Sequence, residues 1–439
     1  MKKIHLISLG CAKNLVDSER FLASAGLNGH YAATTAPEEA DLIVVNTCAF
    51  LQSAVEEALA ALMEAGRAKK PGAVLAAVGC LPARYQNSSD GQALAEGLPE
   101  VDCWLAPGEY HRFEELWAKQ GAARPAFQPD GLPVGSRIQA TPFYRAFLKI
   151  AEGCDNRCTY CLIPKLRGPL KSYPADMLVA EAAEMANVGV RELTLVAQDL
   201  TAFGRDLREP ESLTSLVHRL SKLRGLDWIR LLYAYPERLT EKLVKDLASI
   251  EQVTPYLDIP FQHAAPAILK RMGRRAAPPL QLVENLRRWW PGLALRTTLI
   301  VGFPGETEEY FEQLLEFVNE AAFDHLGVFK FSPEPEALAG GYADQVPQAL
   351  KEKRRRKIMA AQRKISKTRN KARLGQTVPV LVEGPADDNP LVVAGRAAFQ
   401  APEVDGLIYF DGEQPQAGEI VETLLVQAAD YDLVGRIVR

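Results

Sequence analysis

The chain has 439 residues, of which 47% are hydrophobic and 24% charged, a composition typical of globular proteins. Its length predicts several domains, and no apolar run approaches the roughly 20 residues that a membrane helix needs. The formal net charge of −4 gives no whole-chain indication of nucleic-acid binding. The apolar stretch after Lys2 and Lys3 is too short for a signal peptide and predicts a first buried strand. We therefore expect a cytoplasmic protein with no membrane partner.

Strand-like and helical runs alternate over residues 1–130, which we predict to be the first domain. The predicted strands are IHLISLG, DLIVVNT and AVLAAVG, and the predicted helices between them are NLVDSERFLASAG and AFLQSAVEEALAALMEAGRAKK. This alternation predicts a doubly wound parallel sheet. A passage rich in Pro and Gly at 124–142 predicts a linker.

Six further strand-like runs, separated by helical segments, predict a partial (βα)6 barrel over residues 140–370. They are FYRAFLKIAE, RELTLVA, WIRLLYA, TPYLDIP, LALRTTLIV and HLGVFKF. A helix with many cations is predicted from Lys351 to Arg373. Five β-rich runs separated by Gly, Pro and Asp then predict a small antiparallel β-barrel over 371–439. The predicted fold class is therefore α/β, with three different architectures in one chain.

Three cysteines follow the first predicted barrel strand in a C-x3-C-x2-C pattern: Cys154, Cys158 and Cys161. Three thiolates on one loop can hold three irons of a [4Fe–4S] cluster and leave the fourth iron open. The alternative is a zinc knuckle, but structural zinc needs four protein ligands and no fourth Cys or His follows nearby. Catalytic loops of βα barrels lie at the carboxyl ends of the strands, so the pattern predicts a catalytic cluster.

Polar or Gly-rich residues follow each later barrel strand. They are Gln198 and Asp199, Tyr235, Gln262 and His263, Gly302 to Glu306, and Ser332 and Glu334. Any one of these could be an ordinary loop, but together they line one face of the predicted barrel. By residue type His263 is a candidate general acid–base, with a structural hydrogen-bonding role as the open alternative.

Three other cysteines each follow a predicted parallel strand directly: Cys11, Cys48 and Cys80. The carboxyl ends of parallel strands lie at one edge of a sheet, so these cysteines are predicted to converge although no local motif links them. The alternative is that they are buried packing residues, which is how we interpret Cys103 because it lacks this placement.

With Tyr160 before its last cysteine, the C-x3-C-x2-C pattern resembles the signature of radical S-adenosylmethionine (SAM) enzymes. The resemblance implies that SAM binds the open iron, and that one electron cleaves SAM to methionine and a 5′-deoxyadenosyl radical. Residues near the cofactor would then be Tyr160, Gln198, Gly302 and Glu306. The candidate catalytic residues are Gln198 and His263.

The whole-chain pattern of N-terminal cysteines, barrel and small terminal β-barrel resembles the methylthiotransferase family of radical SAM enzymes. That resemblance implies a second, auxiliary [4Fe–4S] cluster on Cys11, Cys48 and Cys80, whose open iron carries the sulfur to be inserted. It implies a TRAM domain at the C-terminus. A first SAM would methylate the sulfur, and a second would supply the radical that abstracts a substrate hydrogen.

Two branches of this family differ in substrate. Several segments resemble the protein-modifying branch, the RimO type: SLGCAKNLVDSE, CLIPKLRG, DIPFQH, RTTLIVGFPGETEE and APEVDGLIYF. This implies action on the β-carbon of an aspartate in ribosomal protein uS12, free or within the small ribosomal subunit. The alternative branch modifies an adenosine of tRNA. The chain departs from the usual pattern at Ala12, Tyr173 and the segment 335–338, and the last departure affects expected substrate contacts.

Regional charge favours the protein branch, because residues 371–439 hold five basic and eleven acidic residues, a local charge of −6. RNA-binding domains are usually basic, which makes tRNA an unfavoured partner, whereas a basic ribosomal protein would be attracted. The cationic helix could contact RNA, but such runs are more often solvated helix faces. A metal-dependent RNA- or ribosome-binding factor without activity is a third hypothesis, which the barrel loops disfavour. No motif indicates the electron donor or the sulfur source.

Overall fold

The computed structural model describes residues 2–27, 31–85, 89–112, 137–208, 211–274, 278–387, 389–412 and 414–438. The chain forms two compact units. The first unit is Met1–Pro142 with Ala151–Asn156 and Cys161–Lys171, and the second unit is Phe143–Ile150 with Arg157–Tyr160 and Ser172–Arg439. Most of the predicted linker lies outside the described residues, and the three domain boundaries stay predictions. Among the described helices, none has both the length and the apolar character needed to cross a membrane.

Eighteen strands are found in the described residues. They are β1 Lys2–Ser8, β2 Tyr31–Ala33, β3 Leu42–Thr47, β4 Val74–Gly79, β5 Cys103–Leu105, β6 Arg145–Lys149, β7 Ala151–Glu152, β8 Lys171–Ser172, β9 Glu192–Val196, β10 Trp228–Leu231, β11 Val253–Asp258, β12 Ala294–Val301, β13 His325–Lys330, β14 Thr377–Ala386, β15 Asn389–Ala397, β16 Ile408–Phe410, β17 Ile420–Ala428 and β18 Leu433–Ile437.

The described α-helices number twelve. They are α1 Ala12–Leu27, α2 Gln52–Ala68, α3 Cys80–Tyr85, α4 Ser89–Gly97, α5 Ile163–Arg167, α6 Ala175–Asn187, α7 Leu213–Leu220, α8 Glu241–Ala248, α9 Pro266–Arg271, α10 Pro279–Trp289, α11 Glu308–Ala321 and α12 Gln348–Ala372.

The first unit contains a parallel sheet with the strand order β2-β1-β3-β4-β5. Its central strand β3 is buried along its whole length, as the uninterrupted apolar run LIVV predicts for a parallel strand. Sequence periodicity predicted β1, β3 and β4, whereas β2 and β5 have only three residues each and show no periodicity. The predicted parallel sheet is confirmed.

The second unit contains six parallel strands in the order β13-β12-β11-β10-β9-β6, which is their order along the chain. This confirms the predicted partial (βα)6 barrel. The helices between the strands start at sequence-encoded caps: the hydroxyls of Ser212, Thr240 and Thr307 accept amide hydrogens in the first turns of α7, α8 and α11. Each of these helices buries one apolar face against the sheet.

The C-terminal strands form a closed barrel in the order β14-β15-β16-β18-β17, as predicted. Its core consists of Val380, Val382, Val393, Ala397, Ile408, Phe410, Leu425 and Leu433. The pairings are antiparallel except that of β16 with β18, which is parallel because β17 intervenes in sequence.

Buried ion pairs join this small barrel to the amino ends of the six parallel strands. Glu192, the first residue of β9, accepts hydrogen bonds from Arg230 at 2.6 Å and Arg396 at 2.5 Å. Arg396 also donates to Glu383 at 2.7 Å. Nearby, Asp405 accepts the Tyr256 hydroxyl at 2.7 Å. The terminal barrel therefore lies at the amino ends of these strands. The polar loops that the sequence analysis predicts to carry the chemistry lie at the opposite, carboxyl ends.

The cationic helix α12 has a buried face, which differs from the predicted solvated helix. Lys351, Arg354 and Gln362 are buried on it. Arg354 donates to Glu306 at 2.8 Å, and Arg373 pairs with Asp324 at 2.6 Å. Some of the cations in this part of the sequence are therefore paired with carboxylates of the same chain.

We predict that Glu192→Gln lowers the free energy of unfolding at pH 7 by about 3–5 kcal/mol, because it leaves buried cations unpaired. Burial would raise the pKa of Glu192, but Arg396 and Arg230 lower it from 4.5 to about 2. A lowered carboxyl pKa adds stability above pH 4.5 that is lost as the pH falls towards 2. Urea unfolding at several pH values should show the difference between wild type and variant shrinking over that interval.

The matched control is Glu403→Gln, since Glu403 pairs with Arg145 at 3.0 Å but its side chain is 54% exposed. Exposed pairs contribute about 0–1 kcal/mol, so this variant should stay close to wild type at every pH. Equal effects of the two substitutions would contradict the importance of the buried pair.

Candidate functional site

Cys11, Cys48 and Cys80 lie in the turns at the carboxyl edge of the first sheet. Cys11 immediately precedes α1, Cys48 follows β3, and Cys80 is the first residue of α3. Cys11 is exposed, Cys48 half-buried and Cys80 buried. The three cysteines therefore lie at one edge of this sheet, and their role as ligands of one cluster stays a prediction.

Polar side chains join these turns to one another. The Asn14 amide donates to the carbonyls of Leu9 and Thr47, each at 3.0 Å. The Thr47 hydroxyl donates to Val78 O at 2.6 Å and accepts the Leu81 amide at 3.0 Å. The turns after β1, β3 and β4 are therefore held in fixed register.

Gly10 allows the closest approach between two of the turns. Its φ is +86°, and a Cβ atom at this position would lie 2.6 Å from Cys48 Cβ and 3.1 Å from Cys48 Sγ. Any side chain here would push the Cys48 turn away, so a glycine is needed where the backbone passes Cys48.

The three thiols influence one another's ionisation. Burial raises the pKa of Cys48 to about 11, and the charges of Cys80 and Cys11 add to the rise. Burial also raises the pKa of Cys80 against the opposing charge of Arg167. Cys11 is exposed as a residue, but the protein atoms around its thiol would raise the pKa; Lys13, Arg167 and two backbone amides outweigh this effect and lower the pKa of Cys11. The sulfurs thus share one electrostatic environment.

Four of the six candidate ligand cysteines accept a hydrogen bond from the backbone N–H two residues later. The Asn156 amide lies 3.4 Å from Cys154 Sγ, and the Ile163 amide lies 3.4 Å from Cys161 Sγ. Cys11 receives the amides of Lys13 and Asn14, and Cys48 receives that of Phe50. Such donors surround iron-bound sulfur in proteins, so these residues fit iron–sulfur clusters. Among the described side chains, no three Cys, His, Asp or Glu already stand in a metal-binding arrangement.

The loop that carries Cys154 is pressed against residues 168–170 within the first unit. Gly153 has a φ of +70°, and a Cβ atom there would lie 1.9 Å from Pro169 O. The Cys154 amide donates to Gly168 O at 3.1 Å, and Asp155 accepts the Leu170 amide at 2.9 Å. The backbone around Cys154 is therefore set by its fit against this segment.

Cys158 and Tyr160 lie in the second unit beside Arg274. One Arg274 nitrogen is 4.0 Å from Cys158 Sγ and 3.3 Å from the Tyr160 hydroxyl. The other terminal nitrogen donates to Pro260 O at 2.8 Å, and the guanidinium stacks on Tyr235 at 4.2 Å. The sequence did not single out Arg274, since nothing in its local pattern distinguishes it from a surface arginine.

His263, Gly302 and Glu306 form one buried network at the carboxyl ends of β11 and β12. The Ala265 amide donates to His263 Nδ1 at 3.0 Å, so Nε2 carries the proton and donates to Glu306 at 3.1 Å. The second Glu306 oxygen accepts the Gly302 amide at 2.9 Å. Gly302 has a φ of +70°, and a Cβ atom there would lie 2.2 Å from Lys351 Cγ. The polar atoms of the network therefore hold the 302–306 loop in place.

Gln198 follows β9 by two residues and is half-buried at the same end of the sheet. Two neighbouring strands end in non-glycine residues with left-handed backbone: Tyr233 after β10 with φ 65°, and Gln262 after β11 with φ 69°. Strain of this kind tends to be kept at functional sites. Two of the strand ends predicted to carry the chemistry therefore also contain a residue with strained backbone.

Three known families match successive parts of the chain. Residues 3–106 match the family described as "Uncharacterized protein family UPF0004". Residues 148–318 match the radical SAM superfamily, and residues 374–438 match the TRAM domain. Enzymes of the radical SAM superfamily use SAM and a [4Fe–4S] cluster, so both cofactors are assigned to this chain.

Solved structures support the fold. TsrM from Kitasatospora setae, a radical SAM methyltransferase, is similar with a TM-score of 0.55 at 16% identity, over 75% of each chain. The cobalamin-dependent SAM radical enzyme OxsB is similar with a TM-score of 0.50 at 12% identity, over 82% of this chain and 56% of OxsB. At these identities the likeness shows the fold alone.

Full-length relatives show the family. The ribosomal protein uS12 methylthiotransferase RimO of Geobacter sulfurreducens is 42% identical over 100% of this chain and 99% of its own length. The protein of the same name from Anaeromyxobacter sp. strain K is 45% identical over 99% of this chain and 93% of its own length. The chain therefore belongs to the RimO family of radical SAM methylthiotransferases.

Proposed function

We propose that this enzyme replaces a C–H bond on the β-carbon of an aspartate in ribosomal protein uS12 with a C–SCH3 group. The observation that carries the proposal is identity above 40% along the whole chain to relatives that bear this activity in their names. Its substrate would be free uS12 or the small ribosomal subunit, which implies a cytoplasmic enzyme. We also retain the three domains 1–130, 140–370 and 371–439.

In this proposal each of two cysteine triads holds one iron–sulfur cluster. Cys154, Cys158 and Cys161 hold the cluster that binds SAM, and Cys11, Cys48 and Cys80 hold an auxiliary [4Fe–4S] cluster. When bound, the clusters supply the electron that cleaves SAM and an open iron for the sulfur to be inserted. The amide donors at four of the six sulfurs support both ligand sets.

Around SAM we propose Tyr160, Gln198, Gly302 and Glu306. His263 and Glu306 already use their polar atoms within the protein, which supports a positioning role for both over proton transfer. Gln198 is the remaining catalytic candidate, because it is half-buried at the strand ends.

Charge supports the uS12 assignment less than the sequence count of −6 implies. Glu383 pairs with Arg145 and Asp405 with Arg296, each at 3.6 Å. Asp430 pairs with Arg363 and Lys367 of α12, each at 3.1 Å. The acidic excess of the terminal barrel is therefore offset by cations elsewhere in the chain. The preference for uS12 over tRNA adenosine accordingly depends on the sequence identity to relatives that are named for uS12 modification.

A competition between substrates tests this function. Reconstituted, reduced enzyme would be incubated anaerobically with SAM, sulfide, small ribosomal subunits and bulk tRNA, followed by mass spectrometry of both pools. We expect a methylthio mass gain on a uS12 aspartate peptide and unmodified tRNA nucleosides. A gain on adenosine with unmodified uS12 would contradict the proposed substrate and leave the chemistry intact.

Cysteine variants test the division of the cofactors. Cys154→Ala is predicted to abolish SAM cleavage, because the cluster that binds SAM loses a ligand. Cys48→Ala should lose sulfur insertion while some SAM cleavage remains, measured as 5′-deoxyadenosine. Cys103→Ala is the matched control and should retain both activities. Full product formation by Cys48→Ala would contradict the auxiliary ligand set.

Two glycines with positive φ test the Cys154 loop. Gly153→Ala places a Cβ atom within 1.9 Å of Pro169 O, whereas Gly168→Ala, at φ +75°, meets nothing within 4 Å. Both substitutions place a side chain at a positive φ, which costs about 1–3 kcal/mol. We predict that only Gly153→Ala loses most of the iron bound by Cys154, Cys158 and Cys161. Iron analysis would be done in a background in which Cys11, Cys48 and Cys80 are changed to Ala. Equal iron in the two variants would refute the steric account.

A further inference from the structure

Cys80 differs from its two partners in the first unit in how its sulfur can be stabilised. Cys11 and Cys48 accept amide hydrogens from residues two or three positions later. At the equivalent position after Cys80 the chain has Pro82, which carries no N–H. The backbone after Cys80 therefore lacks the donor two positions later that both Cys11 and Cys48 use.

A side chain from elsewhere supplies the hydrogen bond. Arg167 Nε lies 3.3 Å from Cys80 Sγ, and both residues are buried. Arg167 is the last residue of α5, whose first residue, Ile163, donates its amide to Cys161 Sγ at 3.4 Å. One short helix thus contributes a donor to a cysteine of each proposed triad.

Both terminal nitrogens of Arg167 donate hydrogen bonds, which fixes the direction of Nε. One terminal nitrogen donates to Asp17 at 3.0 Å and to Glu152 at 3.1 Å. The other donates to the side-chain oxygen of Asn14. Because the guanidinium is planar, these bonds leave Nε–H no other direction than towards Cys80. Asn14 also ties the turn of Cys11 to β3, so the network is rigid.

We propose that Arg167 is a positioning residue for the auxiliary cluster, whose Nε–H replaces the backbone donor that Pro82 removes at Cys80. This inference rests on the proposed binding of that cluster by Cys11, Cys48 and Cys80. The hydrogen bond and the positive charge both stabilise the thiolate and the reduced cluster. Arg167 should therefore slow iron loss and raise the reduction potential of this cluster.

The test uses full-length protein with Cys154, Cys158 and Cys161 changed to Ala, so that only the auxiliary cluster can be reconstituted. Arg167→Gln, Arg167→Lys and the double variant Arg167→Gln/Pro82→Ala would be compared in this parent. The measurements are the rate of iron loss to a ferrous chelator and the midpoint potential from an EPR-monitored redox titration.

Arg167→Gln is expected to lose iron about 10–100-fold faster and to have a more negative midpoint potential. Arg167→Lys should fall between it and the parent, because the charge remains while the fixed donor geometry is lost. The added Pro82→Ala change restores an amide N–H and should recover part of both properties. Arg84→Gln is the matched control, since Arg84 is also buried but donates to Ala49 O at 3.0 Å. It should lower the midpoint potential far less than Arg167→Gln does, because Arg84 donates to a carbonyl and to none of the three sulfurs in the contacts described.

The outcomes separate this inference from the proposed function. A parent that holds no cluster would overturn the auxiliary site itself. A parent with a cluster, and an Arg167→Gln variant equal to it in both measurements, would overturn only the role of Arg167. If Arg167→Gln does not fold, Pro82→Ala alone decides: a second donor at Cys80 should raise the potential, and an unchanged potential would overturn the proposal.

Discussion

Hydrogen-bond donors directed at sulfur stabilise thiolates that bind iron, and such donors are found at both of the cysteine triads that we propose to be ligand sets. Tight turns after parallel strands expose backbone amides, and four of the six cysteines use an amide two residues later. The remaining two, Cys80 and Cys158, lie beside Arg167 and Arg274. Each triad thus combines backbone donors with one buried arginine, and glycines such as Gly10 and Gly153 let the turns adopt the required shape.

In the second unit, the residues predicted to carry the chemistry and the buried ion pairs lie at opposite ends of the parallel strands. At the carboxyl ends of the strands lie the 302–306 loop, His263 and two strained residues. At the amino ends, Glu192 and Asp405 make the buried ion pairs that attach the terminal barrel. βα barrels commonly divide their two faces in this way. The small barrel is consequently a structural base of the catalytic unit as well as a candidate contact for substrate.

Much of this arrangement could be predicted because strand ends are a property of the local sequence. The strands that precede the six motif cysteines were predicted from apolar runs, and their parallel pairing follows from the helices between them. The strands β2 and β5 were missed because three residues show no periodicity. Arg167 and Arg274 were missed for another reason: each contacts a sulfur far away in sequence, and an arginine on a short helix or loop has no distinguishing local pattern.

The charge count shows a different limit of sequence reasoning. Counting residues treats every carboxylate as exposed, whereas Glu383, Asp405 and Asp430 pair with Arg145, Arg296 and Lys367, which lie outside the counted stretch. Likewise Arg354 of the cationic helix α12 and Arg373 directly after it pair with Glu306 and Asp324. Net charge over a stretch of sequence predicts a binding surface only where the charges have no partners in the fold.

The central claim is that two separate cysteine triads each hold one [4Fe–4S] cluster, and iron and sulfide analysis of anaerobically reconstituted protein tests it most directly. Wild type should bind about eight irons and eight sulfides per chain, and each triple-alanine variant, of either triad, about four. A wild type with about four irons, or a Cys11/Cys48/Cys80 variant that keeps all eight, would contradict the account.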